Sequence, residues 1–175
     1  CIRDSYSTYT PELIRRMKEL VDAADVITPN LTETCMLLGE ECPPVMSVAQ
    51  ARSWLARLSD KPGIVVIKGV PLIDDDGQKL SNVGFDRESG SFWRIDWDHI
   101  PVHYPGTGDI FTSVLTASLL KGESLPIALN RATTFTEIAV KTTYSYGTEP
   151  RLGVLFEDCL SWLMTNTVLC DYRKL

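Results

Sequence analysis

The amino-acid sequence predicts an α/β fold built in layers, on three observations. Apolar residues recur at helical spacing in several segments, and short runs that read as buried strands lie between them. The run Gly63-Ile64-Val65-Val66-Ile67-Lys68-Gly69 is β-branched without polar alternation, which requires cover on both faces, as in a parallel sheet. The 175 residues, 44% hydrophobic and 23% charged, suffice for one sizeable core and exclude disorder as the main state.

Thr10-Pro11-Glu12 opens the first helix with a capping hydroxyl, a proline at the first helical position and an acid near the positive end of the helix dipole. Leu13, Ile14, Met17, Leu20 and Val21 follow as one apolar stripe. Asp25-Val26-Ile27-Thr28 reads as a short buried strand stopped by Pro29, and Thr32 to Leu38 as a helix ended by Gly39. Ser47 caps a third helix, whose inner face carries Val48, Ala51, Leu55 and Leu58. Residues 79–95 suggest an antiparallel hairpin around Asp86-Arg87-Glu88-Ser89-Gly90. From Asp109 the chain turns helical, with Ile110, Phe111, Val114, Leu115, Ala117 and Leu119 on its apolar side and Gly122 at its end. Ser124 opens a long helix through Ala128, Ala132, Phe135 and Ala139; a last helix is expected to hold Leu152, Leu155, Phe156, Cys159, Leu160 and Leu163. Two parallel strands and a hairpin against six helical stretches leave the sheet short of strands.

Charge and composition narrow the function. With 17 Lys and Arg against 23 Asp and Glu, the net charge is −6, which argues against a nucleic-acid backbone as partner. No apolar run approaches the roughly 20 residues a bilayer span needs. The chain opens Cys1-Ile2-Arg3-Asp4, without an initiator Met or a signal-peptide stretch, so it reads as processed or as beginning partway through a gene product. Five cysteines (Cys1, Cys35, Cys42, Cys159 and Cys170) form no CxxC pair and fit reduced thiols in a cytoplasm, with Cys35 and Cys159 buried.

The chemistry-bearing segment is His103-Tyr104-Pro105-Gly106-Thr107-Gly108-Asp109-Ile110-Phe111-Thr112. Two glycines around a threonine, at the start of a helix, allow consecutive N–H groups to face an anion at the positive end of the dipole. Asp109 beside them could accept a proton from an attacking hydroxyl in phosphoryl transfer; equally, it could simply cap its helix. The spacing is neither a Walker A loop nor a dinucleotide fingerprint. Thr28-Pro29-Asn30-Leu31-Thr32-Glu33 follows a buried strand, at the carboxyl end where open α/β sheets bind ligands. There Asn30 and Glu33 could orient waters on Mg²⁺, or form a capping box for the next helix. Lys68, at the end of the Ile64–Ile67 strand, offers a point charge for a phosphate or ends a strand in solvent. The three elements in this order favour a phosphate site.

These residues resemble the carboxyl-terminal part of a ribokinase-superfamily vitamin kinase, most closely the pyridoxal/pyridoxamine kinases. TPNxxE at residues 28–33, VIKG at 66–69 and GTGD at 106–109 stand in that family's order, and the similarity runs from about Tyr6 to Leu163. The resemblance implies a partial ribokinase-like three-layer sandwich, with residues 1–175 as the later part of one kinase domain. It implies ATP-dependent phosphorylation of the 5′-hydroxymethyl group of pyridoxal or a related B6 vitamin. Asp109 would be the base, and Gly106, Thr107 and Gly108 the anion hole. Thr28, Asn30, Glu33, Lys68, Trp97 and Ile100 would line the ATP site, with Glu33 toward the metal. The implied cofactors are ATP and Mg²⁺, with room for a monovalent cation; the implied assembly is a cytoplasmic homodimer. Hydroxymethylpyrimidine or its phosphate is the alternative acceptor, and a non-catalytic remnant the alternative class. The family's amino-terminal strands, ring-gripping residues and lid have no counterpart, so marginal stability or association with another chain is expected.

Four other features have plainer readings. His99 and His103 suit loop packing, and Asp74-Asp75-Asp76-Gly77 a solvated hairpin turn. Trp93 and Trp97 could stack on a base or pack a strand. The tail Asp171-Tyr172-Arg173-Lys174-Leu175 is expected to fray.

Overall fold

A computed structural model describes residues 10–165 and 169–175. Cys1 and the opening stretch to Tyr6 lie outside the described residues. The chain divides into two compact units, Cys1–Arg94 with Arg173–Leu175, and Ile95–Tyr172.

The first unit is organised by its sheet. Strands β1 (Val26–Ile27), β2 (Met46–Ser47), β3 (Ile64–Asp74), β4 (Gly77–Asp86), β5 (Ser91–Trp97) and β6 (Arg173–Lys174) run in the order β1-β3-β4-β5-β6, with β2 also on β3. β3 pairs in parallel with β1 and β2 but antiparallel with β4. Val65, Val66 and Ile67 are fully buried, as a run without polar alternation requires. The parallel environment expected around that run is therefore present on one edge only. Beyond Val70 the strand alternates, burying Leu72 and exposing Ile73, because that end has one solvated face.

Three helices flank the strands: α1 (Pro11–Asp22), α2 (Leu31–Leu38) and α3 (Val48–Leu58). Thr10 caps α1, accepting from Leu13 N–H at 3.2 Å, and Ser47 caps α3, accepting from Gln50 N–H at 3.2 Å. α3 buries Ala51, Leu55 and Leu58 as its stripe predicts, together with Trp54. The stripe of α1 is different: Leu13, Met17 and Leu20 stay exposed, and the helix buries none of its residues.

The tail does not fray. β6 pairs with Trp93 and Arg94, and Leu175 enters the core beside Leu72 and Val83. Leu175 N–H donates to the Phe92 carbonyl at 3.1 Å, and its own carbonyl accepts from Arg52 at 2.9 Å. Burial of a terminal leucine outweighs the usual freedom of a chain end.

The second unit packs α4 (Thr107–Leu120) against α5 (Leu125–Tyr146), burying Phe111, Leu115, Ala128, Leu129, Ala132 and Phe135. The expected last helix is broken into 3₁₀ turns at Pro150–Leu152 and Glu157–Cys159 and a one-turn helix α6 (Leu160–Leu163). Gly153, at φ 80° and ψ −162°, leaves the helical region and stops any continuous helix there. Cys35 and Cys159 are both buried, as expected.

Two outcomes follow for the first unit. Leu175→Ala should cost about 2–3 kcal/mol, read by urea denaturation. The Arg94 guanidinium hydrogen-bonds Asp74 and holds its carboxyl below the ordinary value of 3.8. A carboxyl lowered in the folded state contributes stability that is present above its unfolded value and is lost as pH falls through the folded one. The gap in melting temperature between the chain and Asp74→Asn should therefore be full at neutral pH and close below pH ~3; a gap constant across that range would contradict the pair's role.

Candidate functional site

In the first unit, β1 leads directly into Thr28 and Pro29. The Pro29 carbonyl accepts from Lys68 N–H at 2.9 Å, and Asn30 forms an isolated parallel bridge with Lys68. Asn30 and Lys68 therefore meet just past the end of β1, but Lys68 does not end its strand as expected: β3 runs on to Asp74, so the lysine lies midway along it. Asn30 caps α2 through a reciprocal box: Asn30 Oδ1 accepts from Glu33 N–H, and Glu33 Oε2 accepts from Asn30 N–H, both at 2.8 Å. The capping alternative for this pair is thus present in the structure. Thr28 is half-buried one residue before Pro29.

At Lys68 the ladder slips. Ile67 faces Val83 and Val70 faces Ser81, so Lys68 and Gly69 together stand opposite Asn82. Gly69 has φ 67°, a conformation that glycine adopts without strain, and its N–H donates to Asn82 Oδ1 at 3.0 Å. Asn82 is 6% exposed. Sequence reasoning passed over it, although an asparagine inside a strand is a signal for irregular pairing.

In the second unit, Gly106 is the residue before α4 and has φ 87°. Its carbonyl accepts from Asp109 and Ile110 N–H, each at 3.1 Å. The amides of Thr107 and Gly108 open the helix, where no intrahelical acceptor precedes them. Thr107 Oγ1 donates to the Tyr104 carbonyl at 3.2 Å, tying the turn to a buried tyrosine. Asp109 is exposed, and with Gly106 it lines a cleft of about 950 Å³. Ser113, Arg131, Phe135 and Leu152 line other parts of it. In the same cleft Arg131 hydrogen-bonds Glu123, which holds that carboxyl below its ordinary value of 4.5. Gly153, which also lines the cleft, packs against the turn: a Cβ there would lie 3.3 Å from the Pro105 carbonyl. This support was also missed in the sequence, where Gly153 reads as one more loop glycine.

Trp97 and Ile100, both half-buried, precede the turn. The Trp97 ring lies 6.3 Å from His99, and its indole N–H is buried without a hydrogen-bond partner among the described residues. Trp93 is a strand-packing residue: its ring takes the Lys174 ammonium at 3.9 Å. Asp74 to Gly77 form the β3–β4 turn, as expected for a solvated hairpin. Among the described residues, no three His, Cys, Asp or Glu side chains gather as a protein-only metal site would require.

Comparison with known proteins adds a second line of observation. A family profile described as phosphomethylpyrimidine kinase matches residues 2–152. A hydroxymethylpyrimidine/phosphomethylpyrimidine kinase of Haemophilus influenzae is 30% identical over 130 residues, covering 74% of this chain and 48% of that protein. Among solved structures, a Bacteroides thetaiotaomicron protein provisionally named a phosphomethylpyrimidine kinase matches with TM-score 0.90 and 38% identity, over 97% of this chain and 58% of its own. An orthorhombic crystal form of that protein is described with pyridoxal. Pyridoxal kinase of Lactobacillus plantarum matches with TM-score 0.77 and 28% identity, over 91% of this chain and 56% of its own. The chain spans about half the length of the curated relatives it matches.

The capping box gives a direct test of the first unit's geometry. Asn30→Ala should cost about 1 kcal/mol by denaturant titration, with the loss matched by faster amide exchange in the first turn of α2.

Proposed function

The chain belongs to the phosphomethylpyrimidine kinase family, with a ribokinase-like fold, and from that premise we propose that it serves ATP-dependent phosphorylation of a primary hydroxymethyl group on an aromatic nitrogen heterocycle. The observation that carries this reading is the GTGD turn itself: Gly106 precedes α4, Thr107 and Gly108 open it, and Asp109 follows in its first turn. Amides at that position suit negative charge developing on a transferred phosphoryl group. Asp109, on the exposed first turn beside them, takes the proton of the attacking hydroxyl.

In the first unit, Lys68 supplies a cation for nucleotide phosphates, and Thr28 lies one residue before the strand-end crossing at Pro29. Asn30 and Glu33, fixed by their mutual hydrogen bonds, orient hydration waters of Mg²⁺. This donor set fits Mg²⁺ that arrives with its nucleotide, since that ion keeps several waters and needs only one or two carboxylates. When bound, it neutralises charge on the phosphate oxygens. Trp97 and Ile100 are assigned to the nucleotide side on family resemblance.

The names of relatives called hydroxymethylpyrimidine/phosphomethylpyrimidine kinases support that pyrimidine as the first reading of the acceptor. Pyridoxal, the acceptor first expected from the sequence, becomes the second reading; it is favoured by the 38%-identical structure described with pyridoxal. A homodimer in the cytoplasm accords with this reading.

ADP release should be measured with each acceptor, for the chain alone and mixed with a separately produced amino-terminal half of a relative. Asp109→Asn should lower the rate roughly 10²–10⁴-fold without lowering the melting temperature. Full activity of Asp109→Asn would remove it as the base, and activity with neither acceptor in either setting would favour a non-catalytic remnant.

A further inference from the structure

We propose that Asn82 is a positioning residue for Lys68: its amide oxygen fixes the two-residue bulge midway along β3, and so sets the direction in which the lysine ammonium meets a phosphate-bearing ligand. The inference rests on the reading of Lys68 as a phosphate ligand.

Four observations lead to it. The β3–β4 ladder is regular on both sides of the slip, from Ile64↔Asp86 to Ile67↔Val83 and again from Val70↔Ser81 to Asp74↔Gly77. A single irregularity in an otherwise continuous ladder re-aims the side chains within it, because one extra residue rotates the local backbone. The extra residue falls at Lys68–Gly69, the point where β3 also meets the other segment of the candidate site through Pro29 and Asn30. Asn82 stands opposite that pair and is buried, and its side chain takes the Gly69 N–H, which the slipped ladder leaves without its regular strand partner. An amide partly withdrawn from water is costly to leave without an acceptor, so the asparagine oxygen stabilises the bulge over a flat ladder. In a flat ladder, shifting the register by one residue would turn Lys68 to the other sheet face.

The consequence is specific to phosphates. Replacing Asn82 removes the acceptor for Gly69 but leaves Lys68 in the chain, so the loss should appear only where the ammonium matters. Calorimetric titration of the chain with ATP and with adenosine separates the two. Asn82→Leu should weaken ATP about tenfold, the scale of one contact to a charged group, and leave adenosine unchanged. Combined with Lys68→Ala, it should add no further loss, because both changes act through one cation. Gly69→Ala strains the same bulge from the backbone side and should reproduce the selectivity; it carries the test if Asn82→Leu fails to fold. Equal losses for ATP and adenosine, or losses that add to that of Lys68→Ala, would reduce Asn82 to a structural role and overturn the inference. If Lys68→Ala weakens ATP and both bulge variants do not, the inference alone falls. If Lys68→Ala leaves ATP affinity unchanged, or the unaltered chain binds no ATP, the phosphate reading of Lys68 falls and the inference with it.

Discussion

β3 has partners of opposite sense on its two edges, and much of the first unit follows from that constraint. β1 and β2 lie parallel to it, so the segments that follow them leave the sheet in the same direction. β4 returns along the other edge for the strand's whole length. A strand buried on both faces over Val65–Ile67 and paired on both edges has little freedom there, and its irregularities are therefore informative. The only register slip in its pairing with β4 coincides with Lys68 and Gly69, beside the turn that carries Asn30. Regular pairing builds the platform, and the break in it falls where the proposed phosphate ligand Lys68 stands.

The second unit relies on backbone freedom at two glycines. Gly106 takes φ 87° immediately before α4, and Gly153 takes φ 80° where it packs against the Pro105 carbonyl. The first conformation allows the chain to enter the helix with its amides leading. The second admits a later segment close against the Pro105 carbonyl, in the cleft that Gly106 and Asp109 also line. A side chain at either position would meet strain, and at Gly153 a close contact as well.

The parts of this structure legible in the sequence are those set by local chemistry. Thr10, Asn30 and Ser47 announce their helices because capping is a contact three residues long. The buried run of β3 shows in its β-branched residues, and the glycine turn in its spacing. What was not legible depends on distant partners. The ordering of the tail is settled by a core whose other residues, such as Leu72 and Val83, lie far upstream of Leu175. The α1 stripe shows the converse: periodicity specifies a face, but burial needs a surface to cover it, and Leu20 remains 64% exposed. Asn82 and Gly153 escaped notice for a related reason, since each acts on a turn remote in sequence.

The two acceptor readings share more chemistry than their names suggest. In the proposed reaction, both substrates offer a primary hydroxyl on a carbon attached to an aromatic nitrogen ring. There Gly106, Thr107, Gly108 and Asp109 would act on that hydroxyl and on the phosphoryl group it receives, and Lys68 on the phosphates of the donor. None of these roles involves the ring. Discrimination between acceptors is a difference of affinities, so it must reside in side chains that touch the ring. Under that proposal the same turn and the same lysine would serve either acceptor.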